Sequence, residues 1–455
     1  MNAKIREYFG TKDLYKQMFR IAIPISAQSL ITMAINLVDT VMLSDMGDAQ
    51  LSAASLASSY ISVFMICCMG IGMGASVLTS RYWGMKEFNS LKKAITIMIR
   101  FCLVFATIFT IPAIFCPSAV MRIYTADAEI IRYGIIYLKW LIPCYFCIGF
   151  ATTTTVVLRS IGQVKIPLIG TIISLLVNVF FNWIFIYGNL GAPRMEIGGA
   201  ALATTISRFF EMGFVCYYMF FADKRIGYRL RNITMKCKDM VGEYMRISLP
   251  VLISDGLLGL GNNAVAMVMG RIGPAFVAAN SVTTVVQQLS SILTVGIGNA
   301  SGIITGHTMG EGDYEKAHRE GYTFTFIGVI IGLVGAVIIM LIKQPIINFY
   351  NVSQEAKIIS NELMDAIVFI ITFRSVSSIL TKGVLRAGGD TKFLMAGDIL
   401  FLWIASIPLG ALAGLVFHWS AFWIYALLNI DQVIKCIWCV HRLKTGKWLK
   451  KIDAH

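Results

Sequence analysis

The run NLVDTVML (36–43) places Asp39 in the middle of an otherwise apolar helical stretch. A carboxylate in hydrocarbon costs roughly 3 kcal/mol on insertion scales. Such a group is paired, set beside water, or used. Its useful chemistry is to take up a proton or a metal cation where that ion is plentiful and to release it elsewhere, since the bound charge removes the penalty on the bare anion. A second stretch, SLLVNVFFNWIFIYG, carries Asn178 and Asn182. They stand four apart on one helical face, and amides inside a membrane seek partners. Farther on, Asp255 sits five residues after Pro250, and Arg374 stands mid-run in FIITFRSVSSIL. An unpaired guanidinium there is expensive. Pairing with Asp255 or Asp365 across helices would remove the cost, and a contact in a cavity is the other reading. Asp398 falls near the cytoplasmic start of its apolar run and is expected to be solvated. Arg208 and Glu211, three apart, can satisfy each other.

The elements that carry these groups are membrane helices. Of 455 residues 57% are hydrophobic and only 14% charged, with mean hydropathy +0.72, whereas an ordinary globular domain has about 25% charged residues. Apolar segments fall at 18–43, 52–77, 93–116, 130–157, 164–188, 196–221, 245–270, 278–303, 322–343, 359–384, 393–416 and 419–441. They predict an all-α polytopic membrane protein of twelve transmembrane helices. Most of the 39 Lys and Arg lie in segments that share a side with the N-terminus, and the other side holds Arg122, Arg132, Arg194, Arg271, Lys343 and Lys357. The imbalance orients the chain N-in and C-in, accounts for the net charge of +14, and leaves no case for nucleic-acid binding. The expected organisation is a cytoplasmic N-terminal segment (1–17), an N-lobe of six helices (18–221), a cytoplasmic linker (222–244), a C-lobe of six (245–441) and a basic cytoplasmic tail (442–455). No cleavable signal pattern is seen at the N-terminus. The ten cysteines, including Cys144 and Cys147 of LIPCYFCIGF, read as small buried hydrophobes rather than a redox or metal pair.

The two halves repeat. A shift of 226 residues lays RIAIPISAQ (20–28) over RISLPVLIS (246–254), GIG (70–72) over GIG (296–298), Gly84 over Gly310, and RIYTADAE (122–129) over NFYNVSQE (348–355). One residue later LRSIGQVK (158–165) matches LRAGGDTK (385–392). Six spans per half make the repeat parallel, and two such bundles around a central cavity suit alternating access. Asp39 has Val265 as its counterpart, so the symmetry breaks where a coupling site needs only one copy.

Pro24 and Gln28, NLVDT (36–40), SRYWG (80–84), LRSIG (158–162) and MEIGGAALATTIS (195–207), with their second-half echoes, resemble the multidrug and toxic compound extrusion (MATE) family from about residue 15 to 441. The resemblance implies a cell-membrane antiporter that exports small amphipathic cations in exchange for H+ or Na+. It carries an N-lobe ion site onto Asp39, Asn178, Asn182 and Thr204, with an amide at Asn182 where the family pattern has a second acid. Only a transient Na+ at Asp39 would count as a metal. A C-lobe acidic pair of another branch would fall on Leu258 and Ser375, which are not acidic, so coupling is expected in the N-lobe. Pro24 is the candidate hinge beside Asp39. No Walker A sequence or catalytic set is present, so an enzyme and a resident cofactor are not expected, and the chain is expected to act as a monomer. Flipping of a lipid-linked precursor, export of a specific endogenous metabolite, and a non-transporting receptor or scaffold are the competing readings.

Overall fold

The computed structural model describes residues 10–350 and 353–451. Residues 1–9 of the expected N-terminal segment and 452–455 of the expected tail lie outside them. The first half forms α1 (Lys12–Ser44), α2 (Asp48–Met85), α3 (Phe88–Phe115), α4 (Ala128–Trp140), α5 (Ile142–Ser160), α6 (Lys165–Tyr187) and α7 (Ile197–Tyr217). The second half forms α8 (Lys238–Ile272), α9 (Pro274–Gly310), α10 (Tyr314–Phe349), α11 (Gln354–Ala387), α12 (Thr391–Val416), α13 (Ala421–Leu428) and α14 (Ile430–Lys444).

By length and composition ten of these helices can cross a membrane, or eleven if α13 and α14, bent by 41°, count as one span. Each of the twelve predicted segments falls on helix. The one left out of that count is α7, whose hydropathy is lowered by Arg208 and Glu211. The predicted 130–157 span is broken at Leu141, just before Pro143, into α4 and α5. A proline is tolerated in a first helical turn but cannot continue the preceding helix.

The repeat seen in the sequence recurs in the helix starts. Helices beginning at 12, 48, 88, 128 and 165 have counterparts beginning at 238, 274, 314, 354 and 391. Some repeated residues have a plain structural job. Asp127 caps α4 by accepting from the Glu129 and Ile130 amides at 2.8 and 3.2 Å, and its counterpart Ser353 caps α11 by accepting from Ala356 N at 3.2 Å.

The chain divides into two compact units, and their boundaries do not follow the expected lobes at α1 and α8. One unit takes Ala27–Tyr82 and Glu87–Leu252. The other takes residues up to Ser26, Trp83–Lys86 and Ile253 onward. Thus α1 changes unit after Ser26 and α8 after Leu252, positions equivalent under the 226-residue shift and each two residues past a proline, Pro24 or Pro250. The repeated glycines sit where the exchanged helix starts arrive. In the first-half unit a Cβ at Gly74 would lie 2.6 Å from Ser248 Cα, and one at Gly70 would lie 2.9 Å from Leu252 Cα. In the second-half unit a Cβ on Gly296, the counterpart of Gly70, would stand 2.7 Å from the Ala22 carbonyl. Bare backbone faces at these points let two helices touch.

Each unit has its own apolar core. The first-half core centres on Phe64, Tyr145 and Leu138, with the Phe64 and Tyr145 rings edge-to-face at 5.5 Å. The second-half core includes Leu363, Met364, Ile367 and Leu428. Cys144 and Cys147 are buried in α5 as free thiols.

Candidate functional site

In the first-half unit, α1 presents Asp39 to α6. Asn182 Nδ2 donates to Asp39 Oδ1 at 2.6 Å and to Asn178 Oδ1 at 3.2 Å. Both asparagines are fully buried, and Asp39 is half-buried. Among the described residues, three buried polar atoms on the same face of α6 have no partner: Asn182 Oδ1, Asn178 Nδ2 and Ser174 Oγ. Residues 174, 178 and 182 recur every four positions, so α6 lays a polar stripe along one face. The arrangement holds a carboxylate beside a buried amide with an unused oxygen, while the unused Ser174 hydroxyl lies two turns, roughly 12 Å, farther along α6. That is a chemistry of hard oxygen donors, suited to a proton on the carboxylate or to a small cation ringed by neutral oxygens.

Arg208 contributes an attractive charge interaction to Asp39. It is itself held by Glu211 at 2.7 Å, as the spacing on α7 predicts. Glu211 opens a buried chain of hydrogen bonds. Its Oε1 accepts from Thr171 Oγ1 at 3.3 Å, Thr171 accepts from Gln28 Nε2 at 2.8 Å, and Gln28 Oε1 accepts from Arg159 at 2.5 Å. Gln28 and Arg159 were legible only as pieces of P-x-x-x-Q and LRSIG. Their meeting explains why each motif carries a polar residue inside an apolar span. Thr204 is not joined to Asp39 by any hydrogen bond among the described residues. Its carbonyl accepts from Ser207 Oγ at 2.8 Å, while the neighbouring Thr205 hydroxyl donates to the Trp140 carbonyl at 2.9 Å.

The second half corrects the expected pairing of Arg374. Asp255 pairs with Arg386 at 3.3 Å, and Asp365 pairs with Lys343 at 2.6 Å. Arg374 instead donates to Gln287 Oε1 at 2.7 Å, and Gln287 in turn hydrogen-bonds the Tyr425 hydroxyl. The reason is axial distance. Asp365 and Arg374 lie nine residues apart on α11, roughly 13 Å along the helix. Arg386 lies twelve residues beyond Arg374, roughly 18 Å away, and that is the level Asp255 occupies. Asp398 is corrected as well. It is buried rather than solvated, accepts from Ser254 Oγ at 2.5 Å, and pairs with Lys435 at 3.0 Å. Lys435 also holds Asp431 at 3.0 Å, and Ser406 Oγ donates to Asp431 at 3.0 Å. The sequence signal for this triad was the Asp431–Lys435 spacing of four, masked by its closeness to the basic tail.

Among the described residues no group of three or more His, Cys, Asp or Glu is placed to hold a metal ion.

Comparison with known proteins agrees with this architecture. The MatE family profile matches residues 24–184 and again 250–412, two stretches that begin 226 residues apart. A probable multidrug resistance protein NorM of Thermotoga maritima is 23% identical over 96% of this chain and 94% of its own length. One from Mesorhizobium japonicum is 26% identical over 97% and 95%. In structure the chain is similar to MATE in the straight conformation, with TM-score 0.85 at 19% identity over 98% of this chain and 99% of that one. It is also similar to a MOP superfamily transporter from Pyrococcus furiosus, with TM-score 0.82 at 20% identity over 98% and 99%. With the profile matching most of its length in two successive stretches, the chain belongs to the MatE family, as a multi-pass transporter of the cell membrane and not an enzyme.

Proposed function

We propose that the chain exports small amphipathic, cationic compounds in exchange for H+ or Na+, with Asp39 as the coupling carboxylate. The observation that carries the reading is the Asp39–Asn182 contact at 2.6 Å, with the Asn182 Oδ1 left unpartnered among the described residues. A carboxylate tied to an amide, with a free amide oxygen next to it, can take an ion without rebuilding its surroundings. Asn178 keeps the Asn182 amide turned toward the carboxylate. Thr204 would join as a further oxygen donor only after a shift of its side chain. Loading or unloading the ion changes the charge that α6 and Arg208 face, and that change can bias the protein between two states.

Pro24 serves in this reading as the hinge of α1. It removes a backbone hydrogen bond inside the helix, fifteen residues before Asp39 and two before α1 changes unit. The finer architecture of the proposal is twelve spans in two parallel repeats, both ends cytoplasmic, with lobes 18–221 and 245–441 joined by the linker 222–244 and acting as a monomer. The recurrence of helix starts supports the duplication, and the multidrug resistance names of the relatives support the cargo class.

The test is efflux of a fluorescent lipophilic cation from proteoliposomes under separately imposed Na+ and proton gradients, with wild type and Asp39→Asn side by side. Transport driven by one gradient and lost in the variant is the expected result. Gradient-driven transport that survives Asp39→Asn would remove Asp39 from the coupling route.

A further inference from the structure

The second-half unit contains a cavity of about 130 Å³ whose charged lining is entirely cationic. Arg374 and Lys382 open onto it, and among the described residues no aspartate or glutamate lines it. Both residues belong to α11, eight positions apart on one face, with Ser378 midway between them. Lys382 stands in a widened π-helical turn, Leu380–Val384, a distortion frequent at functional sites. The opposite side carries Gln287, Tyr425 and Asn429, and Ile367, Ile370 and Ile371 supply an apolar wall.

Both side chains are exposed rather than packed away, which leaves them open to a ligand. Among the described residues neither has a carboxylate within ion-pair distance. The carboxylates whose charge reaches Lys382 are Asp255 and Asp398, and each is taken by another cation, Arg386 or Lys435. Arg374 is instead aimed. Gln287 accepts one of its N–H groups at 2.7 Å and is itself fixed by the Tyr425 hydroxyl. This leaves the rest of the guanidinium fork facing the cavity, where it matches the two oxygens of a carboxylate or phosphate. The volume is roughly ten times what one water needs, enough for an oxyanion group with part of an apolar body.

We infer that this cavity binds an amphipathic oxyanion, its carboxylate or phosphate held by Arg374 and Lys382 with Ser378 between them, and its apolar part against Ile367, Ile370 and Ile371. The site is separate from Asp39, lies wholly within the other unit, and stands whether or not Asp39 couples transport.

Binding of 4-fluorobenzoate to the full chain in phosphatidylcholine nanodiscs, followed by 19F line broadening, tests it. The matched cation 4-fluorobenzylammonium serves as the charge control. Wild type is expected to bind the benzoate in preference to the ammonium, and inorganic phosphate is expected to compete. Arg374→Gln and Lys382→Gln should each weaken benzoate at least tenfold, the loss expected for a charge-assisted hydrogen bond. Arg374→Lys keeps the charge but loses the fork, so its binding should fall between wild type and Arg374→Gln, and the exposed Arg122→Gln should change nothing. Competition by phosphatidylglycerol that disappears in the same two glutamine variants would keep the site and assign its anion to a lipid headgroup. No binding by folded wild type, equal binding of the ammonium, or benzoate binding that survives both substitutions would overturn the inference.

Discussion

Replacing Lys435 by methionine should be among the most destabilising single changes in the second half. Its ammonium lies 3.0 Å from Asp398 and 3.0 Å from Asp431, and the three side chains are 6%, 7% and 3% exposed. At 3 Å and an effective dielectric near 20, each attraction is about 5 kcal/mol. Desolvation of the ammonium offsets a large part of that, and breaking a buried pair typically leaves a net loss of about 3–5 kcal/mol. The triad carries one cation and two anions, so Lys435→Met strands two carboxylates with only Ser254, Ser406 and Gln432 as donors. Asp398→Asn has the opposite effect on the balance, since it leaves one cation facing one anion and keeps a partner for Ser254. The predicted order is therefore severe for Lys435→Met and mild for Asp398→Asn, with partial rescue in the double variant because only one bare carboxylate remains. Thermal unfolding of purified protein in one detergent gives the readout. With roughly 2–4 °C per kcal/mol for a mid-sized domain, Lys435→Met should fall by on the order of 10 °C or fail to accumulate as folded protein. Equal midpoints for Lys435→Met and Asp398→Asn would refute the reasoning, because the argument rests on the sign of the residual charge and not on lost contacts.

At the candidate coupling site, Asn182→Leu removes both the donor to Asp39 and the unpartnered oxygen. Gradient-driven efflux from proteoliposomes should be lost, while Thr204→Ala, which breaks no described bond to Asp39, should cost far less. Gly74→Ala should destabilise by about 1–3 kcal/mol, read as a lowered unfolding midpoint, because the new methyl would press on Ser248 Cα at 2.6 Å, where backbone cannot step aside. Tyr228, in the linker, is buried and shares a 2.9 Å hydroxyl contact with Thr96, and burial pushes its phenol up to about 12. The unfolded phenol ionises near 10, so this contribution is whole below pH 10 and is lost as pH rises from about 10 to about 12. Comparing unfolding midpoints of wild type and Tyr228→Phe across that window should show the difference between them shrinking.

Some of this was legible in the residues alone, and the reasons differ from place to place. The helices and their order follow from long apolar runs. The repeat follows from residues with duplicated jobs, as Asp127 and Ser353 show by capping equivalent helices. The Asp39–Asn182–Asn178 cluster could be anticipated because polar groups in an apolar span must find each other. Partner choice in the second half could not. Arg374 had two candidate acids in sequence, but whether an acid on another helix meets residue 374 or residue 386 is decided by helix register, which no local pattern encodes. The burial of Asp398 was hidden for the same reason, since its cation comes from α14 and its hydroxyl from α8. The passage of α1 and α8 from one unit to the other was also unreadable in advance, although the GIG pairs that receive their starts were in plain view.

The same shift that aligns the halves also separates scaffold from chemistry. Gly70 and Gly296, Gly84 and Gly310, and Arg159 with Arg386 one residue out of step, all stand in both copies and all serve close packing or buried pairing. Asp39 faces Val265 in the alignment, Asn178 and Asn182, past the one-residue slip, face Ala405 and Leu409, and Arg374 faces Ile148. At these positions each half has thus kept the frame and replaced the other's polar group with an apolar one. In the first half one such group is a carboxylate beside a spare amide oxygen, and in the second the cavity is lined by two cations. Were these groups needed only to hold helices together, the frame they share would demand them twice. Their single occurrence, with opposite sign in the two halves, is what two different ligands would require.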